Sequence, residues 1–242
     1  MNKKCGMMIG LCLLLIACGN SSIYDSQANL KNTLRVDIGM EPPTLDPALA
    51  EDLYAFRVIN DLFAGLVDWD QSNRPIPGMA SSWTISPDGK SYTFHLRNDL
   101  KFSDGVPITA NDFIYSWQRL VDNKTASPYN FLLKNVVNAN AIISGKLDKT
   151  QLGVKAIDDY TLEVQLEYPN NAFLSYLTVP DTFVVPRHVI DKYGKDWTSP
   201  KHIVTSGAYL LTEHVLNGHL RAIKNHNFYA AKQVKIDNIV YH

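Results

Sequence analysis

Asp88-Gly89-Lys90-Ser91 has the residue types that end a phosphate-binding loop, where backbone amides and a lysine hold phosphate oxygens and a hydroxyl holds a metal ion. That loop also needs a glycine five residues before Gly89, and position 84 is threonine, so the four residues read as a turn. His214 and His219 are the closest imidazole pair. In a region that reads as strand and turn, this spacing sends the rings to opposite faces, as exposed hairpin histidines and not as partners on one metal. His188, His202, His226 and His242 are isolated, and neither a His-Glu-x-x-His helix nor a Gly-x-Ser-x-Gly elbow occurs. Asp158-Asp159 pairs two carboxylates, but at a strand start, where turn formation is the simpler role.

Thiol chemistry is confined to the first residues. Lys3 and Lys4 precede an apolar run over residues 7–17, the layout of a secretory signal and too short to span a bilayer. Leu15-Ile16-Ala17-Cys18 resembles a bacterial lipoprotein cleavage box, in which the cut falls before a cysteine whose thiol carries lipid. The alternative is an ordinary signal with a chance cysteine. Cys5, Cys12 and Cys18 are the only cysteines, so cleavage there leaves only the acylated thiol and excludes disulfides, thiolate zinc and a cysteine nucleophile. Residues 1–18 therefore read as signal and 19–29 as a polar tether. Gly19 occupies the place where an Asp retains many lipoproteins at the inner membrane. The formal net charge of −1, without a basic run after the signal, argues against nucleic acid. The 45% hydrophobic content suffices for an unstapled core, and nothing calls for a cofactor or an enzymatic role.

The elements that would position any site are mixed α and β. Residues 31–38 alternate as a strand, and three prolines over residues 41–47 predict a rigid extended connection excluded from helix and ladder alike. Residues 52–66 read as a helix with Phe56, Ile59, Leu62 and Phe63 on one side and Gly65 near its end. Residues 83–85 and 91–97 flank the Asp88-Gly89 turn as a hairpin. Asp104-Gly105 predicts a turn ending a strand. Thr109 with Asp112 predicts a capping box for a helix that buries Phe113, Ile114, Trp117, Leu120 and Val121 and turns Gln118 and Arg119 outward. A strand over 158–166, a helix over 170–177, a hairpin from 207–211 and 220–223, and a last strand over 234–240 complete the pattern. Trp83 and Trp117 read as core. The twelve tyrosines and four tryptophans suit amphipathic ligands and ordinary cores equally.

Several spaced motifs then converge. Ala80-x-Ser82-Trp83, Thr93-Phe94-x-Leu96-Arg97, Phe102-x-Asp104-Gly105-x-Pro107-x-Thr109-Ala110-x-Asp112-Phe113 and Ser116-Trp117 closely resemble the oligopeptide-binding proteins of bacterial ABC importers, extracellular solute-binding protein family 5. So do Ala126-Ser127-Pro128-Tyr129, Leu152-Gly153-Val154-Lys155-Ala156-Ile157-Asp158-Asp159, Val204-Thr205-x-Gly207-Ala208-Tyr209 and Asn227-Phe228-Tyr229. The resemblance implies a type II periplasmic-binding-protein fold of two lobes closing on a ligand, plus an extra domain. Lobe I would take residues 30–63 and 188–242 and the extra domain, or domain II, residues 64–187, with 101–120 as scaffold that does not touch ligand. Peptides would bind as an added strand against the backbone of Glu51, Asp52 and Leu53, with Tyr129 facing the pocket. Members run about twice this length, so the second lobe and the acidic residue that pairs with the peptide amino terminus are expected outside these residues, with a separately encoded second lobe as a candidate partner.

The leading expectation is an exported, lipid-anchored solute-binding component of a peptide importer. It would face the periplasm or the outside of the cytoplasmic membrane and serve permease subunits, impaired if the second lobe is lost. The alternatives are an interaction or signalling lobe that captures no ligand, or a nonfunctional gene fragment. A cell-wall hydrolase is disfavoured by the missing motifs.

Overall fold

Alternating strands and amphipathic helices lead here to three sheets, seen in a computed structural model that describes residues 32–242. β1 (Thr33–Val36) is followed by a 3-10 turn at Pro47–Leu49 and by α1 (Leu53–Leu62). β2 (Val67–Trp69) and β3 (Pro75–Pro77) form a two-stranded ribbon. β4 (Ala80–Ile85) and β5 (Ser91–Leu96) form the hairpin before α2 (Ala110–Val121). α3 (Ala139–Ile143), β6 (Val154–Asp158), β7 (Thr161–Gln165), α4 (Phe173–Tyr176) and α5 (Arg187–Tyr193) come next. β8 (Tyr209–Val215), β9 (His219–Lys224) and β10 (Asn238–Tyr241) end the order. One sheet runs β4-β5-β7-β6, wholly antiparallel; another runs β1-β10-β9-β8, with β1 parallel to β10.

Each four-stranded sheet buries its own face. Phe94, Leu162 and Val164 pack with Phe113, Trp117 and Leu120 of α2 in one core. Leu211, Leu220, Ala222, Ile239 and Tyr241 pack with Val58, Ile59 and Leu62 of α1 in a second. Burial of such side chains is the main stabilising term, about 1.5–3 kcal/mol for each large one. The cores meet along residues 183–185, where Val184 belongs to the first and Phe183 and Val185 to the second.

The capping signal places α2 where the sequence puts it. The Asp112 carboxylate accepts from the Thr109 amide at 2.8 Å and from its hydroxyl at 2.9 Å. Asp88, Asp104 and Asp158 each accept from the amide two residues on, at 3.1, 3.1 and 2.8 Å, which fixes all three as turn formers.

Other expectations change. No strand ends at Asp104-Gly105: the turn is closed by a lone bridge from Lys101 to Pro107. α1 ends at Leu62 and not at 66, and Gly65 is no helix cap. A Cβ there would lie 2.7 Å from the Phe183 ring, so glycine permits a close approach. Pro47 does enter a helical turn, because the first position needs no amide and the Asp46 carboxylate caps it. Pro75 and Pro77 sit in a ladder, which a two-stranded ribbon tolerates.

Candidate functional site

The segment from Asp46 to Phe56 is built as a fixed ledge. The Asp46 carbonyl accepts from the Leu49 and Ala50 amides at 3.0 and 3.1 Å, closing the 3-10 turn. Asp52 caps α1, its Oδ1 accepting from the Ala55 amide at 2.8 Å and its carbonyl from Phe56 at 3.1 Å. Glu51 lies between these two anchors, exposed, with no hydrogen bond to its amide or carbonyl among the described residues. The ledge thus offers the Glu51 main chain and the amides that begin α1, while the Asp52 carbonyl and carboxylate are committed to the helix.

The ledge is held from both cores. Arg119 of α2 grips Asp46 with both terminal nitrogens: Nη1 donates to Oδ1 at 2.7 Å and Nη2 to Oδ2. Trp197 Nε1 donates to the same Oδ2 at 3.1 Å. Periodicity places Arg119 on the solvent side of α2. It is mostly buried because the turns bearing Asp46 and Trp197 cover that flank. Asp181, 2% exposed, lies in the Pro180–Thr182 turn that packs on Pro47–Leu49, and neither carboxylate oxygen has a hydrogen-bond partner among the described residues. Burial first, and then the negative charge of Asp46, push the Asp181 carboxyl up to about 7.

Beside the ledge stands an aromatic wall. Tyr129 meets Phe56 edge-on, with centroids 5.4 Å apart and planes at 82°, and meets Phe131 at 5.4 Å and 34°. Leu53, three residues before Phe56 and so on the same helix face, is 81% exposed. The structure therefore brings Tyr129 against Phe56 in the first turn of α1, the helix that Asp52 caps and Leu53 begins. Phe131 carries no periodic signal in the sequence, and Phe56, which periodicity places on the buried stripe, is only half-buried. Cavities of about 250 Å3 beside Gly39 and Tyr241, and of about 430 Å3 beside Leu210 and Asn225, are lined by other residues. The ledge and wall form an open surface.

The remaining chemistry candidates are accounted for locally. The β8–β9 register pairs His214 with Leu220 and Val215 with His219, so the two rings fall on opposite faces. They are carboxylate-paired and not simply exposed: His214 with Glu41, and His219 with Glu213 at 3.3 Å. Among the described residues no group of three His, Cys, Asp or Glu side chains could hold a metal ion. Cys18 lies outside the described residues.

Comparison with known proteins supplies the kinship. Residues 74–242 match the sequence model of the bacterial extracellular solute-binding proteins, family 5 middle. The probable deoxycholate-binding periplasmic protein YgiS of Escherichia coli is 45% identical over 203 residues, covering 83% of this chain and 38% of that protein. The periplasmic oligopeptide-binding protein OppA of Salmonella typhimurium is 40% identical over 245 residues, 99% of this chain and 45% of that one. Haemophilus influenzae OppA, solved in complex with the peptide RPPGFSPFR, superposes with a TM-score of 0.84 at 37% identity over 87% of this chain and 42% of that one. The chain thus spans about two fifths of the length of these relatives. Its fold is the mixed α/β, type II binding-protein fold, represented by the part that these relatives share with it, and the chain belongs to the bacterial extracellular solute-binding proteins of family 5.

Proposed function

We propose that this chain provides one wall of a peptide-capturing site in the solute-binding component of an ABC importer. The observation that carries the reading is the Glu51 main chain, unpaired among the described residues and held rigid from both sides. An extended ligand can add to such an edge by main-chain hydrogen bonds, which are indifferent to side-chain identity. Lobe I corresponds to the core around α1 and β8–β10, residues 30–63 and 188–242, and the extra domain to residues 64–187. Glu51, Leu53 and the amide of Asp52 face the ligand main chain, and Tyr129 faces its side chains. The second wall and the charge that meets the ligand's amino terminus come from a second lobe. The protein acts outside the cytoplasmic membrane, anchored by lipid on Cys18, and hands ligand to permease subunits. No catalytic role is assigned.

The test is a titration of the isotopically labelled chain with trialanine, followed by amide chemical shifts. Saturable shifts confined to Glu51, Asp52, Leu53 and their neighbours are expected. Absence of any shift there at tens of millimolar peptide would reject the edge.

A further inference from the structure

Leu53 is the most exposed large apolar side chain among the described residues, and Phe131, at 48%, is another that faces solvent. Phe131 meets Tyr129, Tyr129 meets Phe56, and Leu53 lies one turn before Phe56 on the same helix, so the four side chains form a run of neighbours beside the ledge. Exposed apolar groups gathered beside unpaired main chain mark a surface prepared for a ligand. The wall is also fixed in place. Leu132 and Leu133, next in sequence to Phe131, are both buried, Leu133 in the core of α2, and the Leu132 amide donates to the Tyr129 carbonyl at 3.0 Å. Phe131 is therefore held outward by its neighbours' burial, and little conformational entropy is lost when something covers it.

We infer that Leu53, Phe56, Tyr129 and Phe131 form a side-chain subsite that selects a large apolar, and above all aromatic, side chain on the captured peptide. The inference rests on the peptide reading above. A strand added along Glu51 points alternate side chains to one face, and the face toward α1 meets this wall. Tyr129 already holds one ring edge-on and another tilted, both within the separation at which aromatic pairs attract, so a third ring extends an existing cluster. None of the four wall residues carries a charge to pair with an ionic side chain, so a lysine or glutamate there would lose water without compensation.

The experiment compares Ala-Phe-Ala with Ala-Ala-Ala and Ala-Lys-Ala on the labelled 242-residue chain, reading Glu51 to Leu53 amides and Leu53 methyls. Ala-Phe-Ala is expected to bind roughly tenfold more tightly than trialanine and to move the Leu53 methyls by ring current. Phe131→Ala should bring the ratio of the two affinities close to one, and Phe131→Leu should restore part of it. Amide shifts with equal affinity for all three peptides, or a preference that Phe131→Ala leaves intact, would overturn the subsite while keeping the edge. No amide shift with any peptide would sink the edge and the subsite together. Deoxycholate moving the Leu53 methyls where peptides do not would overturn the peptide class and assign the wall to a steroid.

Discussion

Arg119 and Asp46, 73 residues apart in sequence, form a two-pronged ion pair that joins the helix of one core to the turn preceding the candidate edge of the other. The pair is shielded from water on both sides, at 15% and 6% side-chain exposure, and Trp197 donates a third hydrogen bond to the same carboxylate. Asp46 in turn closes the 3-10 turn that ends at Ala50, one residue before Glu51. A helix of one core thus helps to position the ledge of the other.

Removing one member of a shielded pair strands the other's charge, and here Asp181 lies close enough to add repulsion. Arg119→Ala should cost about 3–5 kcal/mol of unfolding free energy. Arg119→Lys should recover less than half of it, because an ammonium cannot match the two-pronged fork. Urea unfolding of the three proteins measures both, and a loss below about 1 kcal/mol for Arg119→Ala would show that the pair contributes little.

Asp181 makes stability depend on pH. Its folded carboxyl is pushed up to about 7 from the ordinary 3.8, so the fold favours the protonated acid. That contribution is complete below about 3.8 and is lost as pH rises through about 7. Asp181→Asn keeps the shape and cannot ionise. Relative to wild type it should gain stability steadily between pH 4 and pH 7 and level off above, by at most about 4 kcal/mol. Thermal unfolding across that range checks the slope. A difference independent of pH would refute it.

Peptide binding by the 242-residue polypeptide alone should be weak. One wall leaves a ligand's other side in water, and an unmet terminal charge alone typically costs about 2–5 kcal/mol. At about 1.4 kcal/mol per decade, an affinity that two walls make micromolar falls to millimolar or weaker. Calorimetry with mixed tri- to pentapeptides decides the point: micromolar binding by the monomer would mean that the ledge and wall suffice.

Cys18→Ala should release the protein from membranes. Lasting attachment by acyl chains needs more than one chain, which multiple acylation at a single amino-terminal cysteine provides. Labelled palmitate should enter the wild type and not the variant, and unchanged membrane recovery of the variant would count against the anchor.

Local chemistry was the legible part. The Thr109–Asp112 cap begins α2 at Ala110, the Asp88-Gly89 turn joins β4 to β5, and the stripe of Phe113, Trp117, Leu120 and Val121 faces a core, because each depends on residues a few positions apart. Spacing of two or three to four residues is enough to determine such features, and the spaced motifs around Trp83 and Phe102 were enough to determine kinship. β6 and the proline-edged β2–β3 ribbon escaped because their pairing partners, and not their own patterns, make them strands.

The site's support was beyond that reach. Periodicity assigns Arg119 to water, since it reports only which side of α2 faces its own core, and says nothing of a second core's turn arriving on the other flank. Tyr129 meets Phe56, and Phe131 meets Tyr129, because the Asn130–Leu133 turn is seated by the buried Leu132 and Leu133; the contact with Phe56 spans more than seventy residues of chain. The sequence alone determined the elements, the turns and the ancestry, through short-range spacing. Only the tertiary structure decided that the buried Asp46–Arg119 pair holds the ledge and that an aromatic wall stands beside it, because burial and long-range contact are properties of the packed chain and have no period in the sequence.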